Sequence, residues 1–299
     1  VFKSKSRSYK ELPLRLSEVG IVHRQELSGT LGGLFRLIRF TQDDAHLFCT
    51  EEQIEEEVEK VISMINIFYE KFGLQFDHVE LSTRPEKRIG EEKLWDKAEH
   101  ALESVLKKKK MKYKINKGDG AFYGPKIDFH LKDSQERTWQ CSTVQLDFAM
   151  PQRFELEYVD NENKRKTPVI IHRVIYGAIE RFLGILIEEK NGRFPVWLAP
   201  TQVRVLSFTD RSVKYAEKII KEISKEIPNL RIDADFQNTT MQGKVKDAEI
   251  MRVPYIIVVG DKEEKEKNLA VRIKGSSKIE KFTVDEFCIR LKKEISERK

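Results

Sequence analysis

The 299 residues, 39% hydrophobic and 35% charged, are enough for two domains of a globular protein. No uninterrupted apolar run approaches the roughly 20 residues that span a bilayer, the basic start VFKSKSRSYKELPLR lacks the apolar stretch of a signal peptide, and three distant cysteines, Cys49, Cys141 and Cys288, fit neither a disulfide framework nor a closed four-cysteine zinc site; no membrane partner is expected, and a reducing, cytoplasmic setting is. The net charge of +6 lies mainly in the C-terminal third, where residues 201–299 carry 22 Lys and Arg against 17 Asp and Glu while residues 1–200 carry 33 against 32, a balance that suits a phosphate-rich partner or a merely solvated surface.

Taken in chain order, GIVHRQEL and LFRLIRFTQ read as strands joined by a glycine-rich loop containing Ser28, Gly29, Thr30, Gly32 and Gly33. Two amphipathic helices follow, EEQIEEEVEKVISMINIFYEKF and EEKLWDKAEHALESVLKKKK, each with the i, i+3, i+4 apolar spacing of a helix packed on a sheet. KIDFHLKD, TWQCSTVQLDF, RFELEYVD and TPVIIHRVI then read as strands with few helices between them, which predicts a mainly antiparallel sheet. After the apolar helix GAIERFLGILI, the proline-bearing segment RFPVWLAP (193–200) marks a domain boundary. Beyond it strands (TQVRVLSFT, LRIDADF, PYIIVVG, LAVRIKG) alternate with helices (SVKYAEKIIKEISKEI, KVKDAEIM, VDEFCIRLKKEISER). The expected fold class is α/β: an α+β domain over 1–196 built on an antiparallel sheet, then a smaller α/β domain over 201–299 with a parallel or mixed sheet.

A strand period of two puts Arg24 and Glu26 on one face of the first strand, and Arg36, Ile38, Phe40, Gln42, Asp44 and His46 on one face of the returning strand. Such a face is a poor hydrophobic core and suits an anionic, ring-containing ligand. A solvated strand face is the alternative, and Phe40 counts against it. Arg181 lies within an apolar helix, where its charge is costly unless an anion or a neighbouring acid pairs with it. Gly177 allows close approach of a ligand or of a neighbouring strand. Cys49, three residues after His46, faces the opposite side of its strand and reads as core. Gln140 and Gln145 are an odd number apart, so both reach one pocket only across a bulge, expected near Ser142.

The stretch from His23 to Cys49, with Arg24-Gln25-Glu26 and FTQDDAHLFC (40–49), resembles motif 2 of the class II aminoacyl-tRNA synthetases in its threonyl form. Further matches follow in family order: LSTRPEKRIG (81–90), GDGAFYGPKIDF (118–129), QCSTVQLDF (140–148), HRVIYGAIERFLGIL (172–186) and VPYIIVVGDKE (253–263). The resemblance implies activation of threonine by ATP, with magnesium, and transfer to threonine tRNA. It implies ATP contacts by Arg24, Glu26, Arg36, Phe40, Gln140 and Arg181, with Arg24 and Arg181 as the catalytic cations; guanidinium groups suit this because they stay charged and bind oxyanions bidentately. It implies threonine contacts by Gln42, Asp44, Tyr123, Lys126 and Gln145, and a zinc ion on His46, His172 and a cysteine expected upstream of Val1. Three protein ligands with an open fourth position is the pattern of a functional zinc site. In the second domain it implies anticodon reading by Asn238, Glu263 and Arg272. The motif that builds the family's dimer interface is not in the chain, and a homodimer is expected of the full-length enzyme. A non-catalytic RNA-binding paralogue and an unrelated zinc hydrolase are competing readings; the joint presence of Arg24, Glu26, Phe40, Arg181, His46 and His172 argues against the first.

Overall fold

The computed structural model describes residues 1–276 and 278–298. Its contacts divide the chain into Val1–Glu189 and Lys190–Lys299. The first unit runs β1 (Leu14–His23), β2 (Arg39–Cys49), α1 (Ile54–Phe72), β3 (His78–Ser82), α2 (Glu92–Lys108), β4 (Lys114–Asn116), β5 (Lys126–Lys132), β6 (Thr138–Asp147), α3 (Ala149–Arg153), β7 (Tyr158–Val159), β8 (Arg165–Lys166), β9 (Val169–Ala178) and α4 (Ile179–Glu189). Among the described residues, seven of these strands form one sheet in the order β1-β2-β9-β6-β5-β3-β4. It is antiparallel throughout except for the parallel pair β3 and β4, and among the described residues no helix is long and apolar enough to cross a membrane.

Helix α1 shows why one face of this sheet is covered. Ile54, Val58, Val61, Ile62, Ile65 and Tyr69 recur at helical spacing and are all buried, each contributing roughly 1.5–3 kcal/mol. Gly73, left-handed at φ 62°, ends the helix. Glu57 falls on the same buried face, and Arg15 of β1 neutralises it through two hydrogen bonds of 2.7 Å. The opposite sheet face carries the polar members of β2, β5, β6 and β9.

Two irregularities meet in the middle of the sheet. Residues 128 and 130 of β5 pair with 143 and 140 of β6, so β6 has one extra residue at Cys141–Ser142, where the odd spacing of Gln140 and Gln145 required a bulge. Gln42 and Asp44 of β2 pair with Ala178 and Val174 of β9, which leaves Ile175–Gly177 outside the ladder. Asp43 accepts hydrogen bonds from the backbone nitrogens of Ile175 (3.0 Å) and Tyr176 (2.9 Å) and from Arg173 Nη1 (3.1 Å). The carbonyl of Ile175 accepts from Tyr69 Oη at 2.9 Å and from the Ser142 hydroxyl. The nitrogens of Ile175 and Tyr176 and the carbonyl of Ile175, freed by the bulge, are thereby partnered.

Three sequence expectations need correction. The strand pairing of the first hairpin ends at His23 and Arg39, so Arg24, Glu26, Arg36 and Ile38 belong to a loop; Gly29 and Gly33 have positive φ, which an extended ladder does not accept. RFELEYVD is a strand only at Tyr158–Val159. Asp147 caps the backbone nitrogens of Ala149 and Met150 and starts α3, Glu155 turns at φ 51°, and Leu156 and Tyr158 pack with Phe2, Leu12 and Phe48 instead of joining the sheet. The short helix α7 (Asp261–Glu266) and strand β14 (Ile279–Phe282) of the second unit escaped the sequence reading.

That unit runs β10 (Val203–Ser207), α5 (Val213–Glu226), β11 (Ile232–Asp235), α6 (Met241–Ile250), β12 (Tyr255–Val259), α7 (Asp261–Glu266), β13 (Leu269–Ile273), β14 (Ile279–Phe282) and α8 (Val284–Glu297). Its sheet has the order β11-β10-β12-β13-β14, the first three strands parallel and the last two antiparallel to their neighbours. Val203, Val205, Ile257, Val259 and Val271 pack against Ala216, Ile219 and Ile223 of α5 and Phe287 and Leu291 of α8, and Val196 joins this core. Leu206 and Ile256 on the other face meet Ala248 of α6.

Replacing Asp43 by Ala should leave two backbone donors and a guanidinium without their acceptor, at a cost of about 2–4 kcal/mol. Urea unfolding would register this as a lower midpoint with an unchanged slope.

Candidate active site

The register of the first sheet lines up one residue from each of several strands. Leu16, His46, His172, Gln145, Lys126, Ser82 and Asn116 are successive cross-strand partners from β1 to β4. Neighbouring strands lie roughly 4.8 Å apart, so residues far apart in sequence form one polar row. Its central members are in contact: the rings of His46 and His172 are 4.7 Å apart, and those of His172 and Tyr123 5.3 Å. Tyr123 Oη donates to Gln145 Oε1 at 2.8 Å.

Above this row lies a cavity of about 320 Å³ whose lining includes Arg24, Glu26, Arg36, Phe40, Gln42, Asp44, Tyr123, Lys126, Gln140, Gln145, His172 and Arg181. His46 is not among the lining residues and touches the cavity only through His172. Arg36 pairs with Glu26 at 2.8 Å, and the Arg24 guanidinium lies 5.1 Å from the centre of the buried Phe40 ring. Arg181 donates to the carbonyls of Phe35 (2.7 Å) and Gln140 (2.9 Å) and lies over Trp139. Among the described residues it forms no ion pair. Burial lowers its pKa from the usual arginine range, and the charges of Arg36 and Arg24 act the same way. Of the arginines lining this cavity, Arg24, Arg36 and Arg181 have only Glu26 as an ion-pair partner among the described residues, an arrangement that favours a polyanion.

The other half of the cavity is fixed by two acids that the sequence reading did not single out. Asp128 accepts from Lys126 (2.7 Å), Gln140 (2.5 Å), Thr143 (2.9 Å) and Ser82 (3.0 Å). The fully buried Asp147 holds His172 Nε2 at 3.1 Å. Both were within reach of the period-of-two argument, because Asp128 shares a face with Lys126 and Asp147 with Gln145. Burial lowers the pKa of His46, and His172 opposite adds to the effect, which keeps the imidazole neutral and able to ligate a metal. Burial, together with Asp147 and Asp44, pushes the Tyr123 phenol up to about 12, so it acts as a neutral hydrogen-bonding group. Cys49 is fully buried, and burial raises its thiol to about 12, in keeping with a core position.

Other residues of the motifs are structural. Arg84 is engaged by Glu99, Asp96 and Glu92 of α2. Gly177 has φ +74°, and a Cβ there would lie 2.6 Å from the carbonyl oxygen of Cys141, so the neighbouring strand demands the glycine. In the second unit Asn238 is exposed after β11, Glu263 accepts from the Gly260 nitrogen at 3.0 Å, and Arg272 reaches Glu249 at 3.4 Å. Asn238 and Glu263 follow the ends of two parallel strands and share a sheet edge, whereas Arg272 pairs with Ile256 toward the other end. Among the described residues no hydrogen bond or ion pair links the three.

Comparison with known proteins gives this arrangement its relatives. The class II tRNA synthetase core domain (G, H, P, S and T) matches residues 1–190, and the anticodon binding domain matches residues 202–294. The threonine–tRNA ligase of Caldanaerobacter subterraneus subsp. tengcongensis is 50% identical over 99% of this chain and 46% of its own length, and that of Syntrophomonas wolfei is 49% identical over 100% and 46%. A crystal structure of the RNA-binding domain of threonyl-tRNA synthetase from Cryptosporidium parvum Iowa II superposes with a TM-score of 0.92 at 40% identity, covering 98% of this chain and 73% of that one. The chain belongs to the threonyl-tRNA synthetase family. A putative threonyl-tRNA synthetase from Aeropyrum pernix is a more distant neighbour, with a TM-score of 0.77 at 28% identity over 96% of this chain and 70% of that one. The chain spans about half the length of the curated threonine–tRNA ligases it matches.

Within this site Gly177 offers a test of the packing. Gly177→Ala combines a left-handed backbone with a backbone clash and should destabilise the protein by about 2 kcal/mol or more. Chemical unfolding measures the loss, and Ala178→Gly, one residue on, serves as the control for backbone flexibility alone.

Proposed function

We propose that the chain is the catalytic and anticodon-reading part of a threonine–tRNA ligase, which joins threonine to ATP as threonyl-adenylate and transfers it to the 3′-terminal adenosine of threonine tRNA. The catalytic part is assigned to 1–196 and the anticodon-reading part to 201–299. The observation that carries this reading is the cavity in which Arg24, Arg36 and Arg181 converge beside Phe40 and the polar row of His172, Gln145 and Lys126. A carboxylate attacks the α-phosphate only when the charge of both anions is offset, and preorganised guanidiniums do this without reorganising.

In this reading Arg24 bridges the α-phosphate and the threonine carboxylate, and Arg181 holds the γ-phosphate, its two carbonyl hydrogen bonds setting its direction. Phe40 stacks on adenine, Glu26 accepts from the adenine amino group, and Arg36 and Gln140 complete the nucleotide contacts. Magnesium enters with ATP as part of the substrate. Gln42, Asp44, Tyr123, Lys126 and Gln145 surround threonine. Zinc fits His46 and His172: the two imidazoles face each other across paired strands, and the carboxylate of Asp147 sits behind one of them, a common support for a metal-bound histidine. The three cysteines of the chain are buried, and in this reading the third ligand is the cysteine expected upstream of Val1. When bound, the ion supplies Lewis-acid recognition of the threonine hydroxyl and amine, which valine lacks in part. Residence in the cytoplasm and assembly as a homodimer belong to the same proposal. The open edge strand β1, with Val19 and Ile21 exposed, supports the latter.

Threonine-dependent ATP–pyrophosphate exchange by the full-length protein is the direct test. Arg24→Ala and Arg181→Ala should each lower it by about a hundredfold or more, with circular dichroism unchanged; losses below about threefold in both would remove the assigned roles. For the second unit, Arg272→Ala should weaken binding of threonine tRNA more than of an anticodon-swapped tRNA. Equal weakening of the two RNAs would mean that Arg272 meets only phosphate.

A further inference from the structure

Away from the cavity, toward the β4 edge of the sheet, β3 and β5 bring a second set of metal-binding side chains together. His78 and Glu80 lie on one face of β3, and His130 is the direct cross-strand partner of His78 on β5. The two imidazole rings stack with centroids 4.4 Å apart. His78 Nε2 lies 3.2 Å from Glu80 Oε1 and His130 Nε2 lies 3.6 Å from Glu80 Oε2, and one ligand atom from each of the three residues falls within 4.8 Å of the others. A tetrahedral ion bound at 2.0–2.1 Å separates its donors by about 3.3 Å. Each imidazole Nε2 already lies near that distance from a Glu80 oxygen, His78 from Oε1 and His130 from Oε2.

Two further observations point to a ligand. Nε2 of His130 is shielded from solvent and has no hydrogen-bond partner among the described residues, an expensive condition for a polar atom unless something else binds it. The surrounding groups also orient the donors as a metal requires. Asp77 holds His78 Nδ1 at 2.5 Å, which leaves Nε2 free to face Glu80, and Asn116 of β4 donates to Glu80 at 2.9 Å. A carboxylate behind a histidine and a hydrogen bond to the ligating carboxylate are the usual supports of such sites.

We infer that His78, Glu80 and His130 form a binding site for a divalent transition metal of the zinc, cobalt or nickel class, separate from the His46 and His172 pair. Two imidazoles and one carboxylate select such ions over magnesium and calcium, which prefer all-oxygen shells. The bound ion ties β3 to β5, with β4 held through Asn116, and leaves a fourth position for water.

The test uses the full chain, stripped of metal with a chelator and titrated with Co2+, whose visible absorption reports imidazole coordination. The double variant His46→Ala/His172→Ala removes the pair assigned to threonine recognition, so failure of that assignment and failure of this one are read separately. The double variant should still bind one Co2+ per chain, released by Zn2+ and not by Mg2+, and Zn2+ should raise its Tm by about 3 °C or more. Adding His130→Ala or His78→Ala should weaken Co2+ at least about tenfold, as loss of a ligand requires. His130→Gln and Glu80→Gln, close in shape, serve if an alanine variant does not fold. Absence of saturable Co2+ binding below millimolar concentration in the His46→Ala/His172→Ala protein, or binding that survives replacement of both His78 and His130, would overturn the inference.

Discussion

Two strands lose their regular pairing at the same level of the first sheet, and the geometry of the cavity follows from how those irregularities lock together. Ser142, in the bulge of β6, donates to Ile175 in the bulge of β9, while Gly177 presses on the carbonyl of Cys141. Asp43 closes the arrangement from β2 by accepting three hydrogen bonds. The extra residue in β6 turns Gln140 to the face that Gln145 already occupies. The extra residues in β9 lead the chain into α4 at the angle that returns Arg181 to the carbonyl of Gln140. Glu180, the next residue back, accepts from the Thr41 nitrogen and fastens the start of that helix to β2. Bulges redirect side chains in this way because a regular strand alternates faces without exception.

The second determinant is electrostatic. Arg24, Arg36 and Arg181 gather in one cavity with Glu26 as the acid paired to one of them, and Arg181 is held by carbonyl dipoles and an aromatic ring rather than by a carboxylate. Burying a cation near other cations costs free energy in the empty protein. A polyphosphate relieves that cost on binding, so the same arrangement that weakens the free state favours the occupied one. The opposite wall follows the reverse rule: Lys126 and Gln140 share Asp128, and His172 rests on Asp147. Their positions are fixed before any ligand arrives.

Much of this was legible in the sequence, because strand parity is a strong constraint when charged residues recur at every second position. It grouped Phe40, Gln42, Asp44 and His46, sent Cys49 to the core, and demanded a bulge between Gln140 and Gln145. It could not locate the extra residues of β9, since the strand pattern ended at Ile175 and the helical one began at Gly177, and the signal for the break is the carboxylate of Asp43, 132 positions before Ile175. Nor did it see that Arg24, Glu26 and Arg36 sit in a loop, where glycines with positive φ end the ladder that their alternation suggested. RFELEYVD failed for a similar reason: alternation reports one buried side, and a satellite cluster around Phe2 and Phe48 satisfies it as well as a sheet does.

The polar row across the first sheet has a kinetic corollary. Its members arise at positions 46, 172, 145, 126 and 82, so no two neighbours in the row are neighbours in the chain, and closing each pair requires a long loop to be ordered first. Folds dominated by such distant pairings reach their final contacts slowly and late. β9, the last of the seven strands in the chain, lies between β2 and β6, so His46 meets His172 only once it is in place. A partly folded chain therefore presents the arginine loop without the wall of His172, Gln145 and Lys126, and the two halves of the cavity come together only in the finished domain.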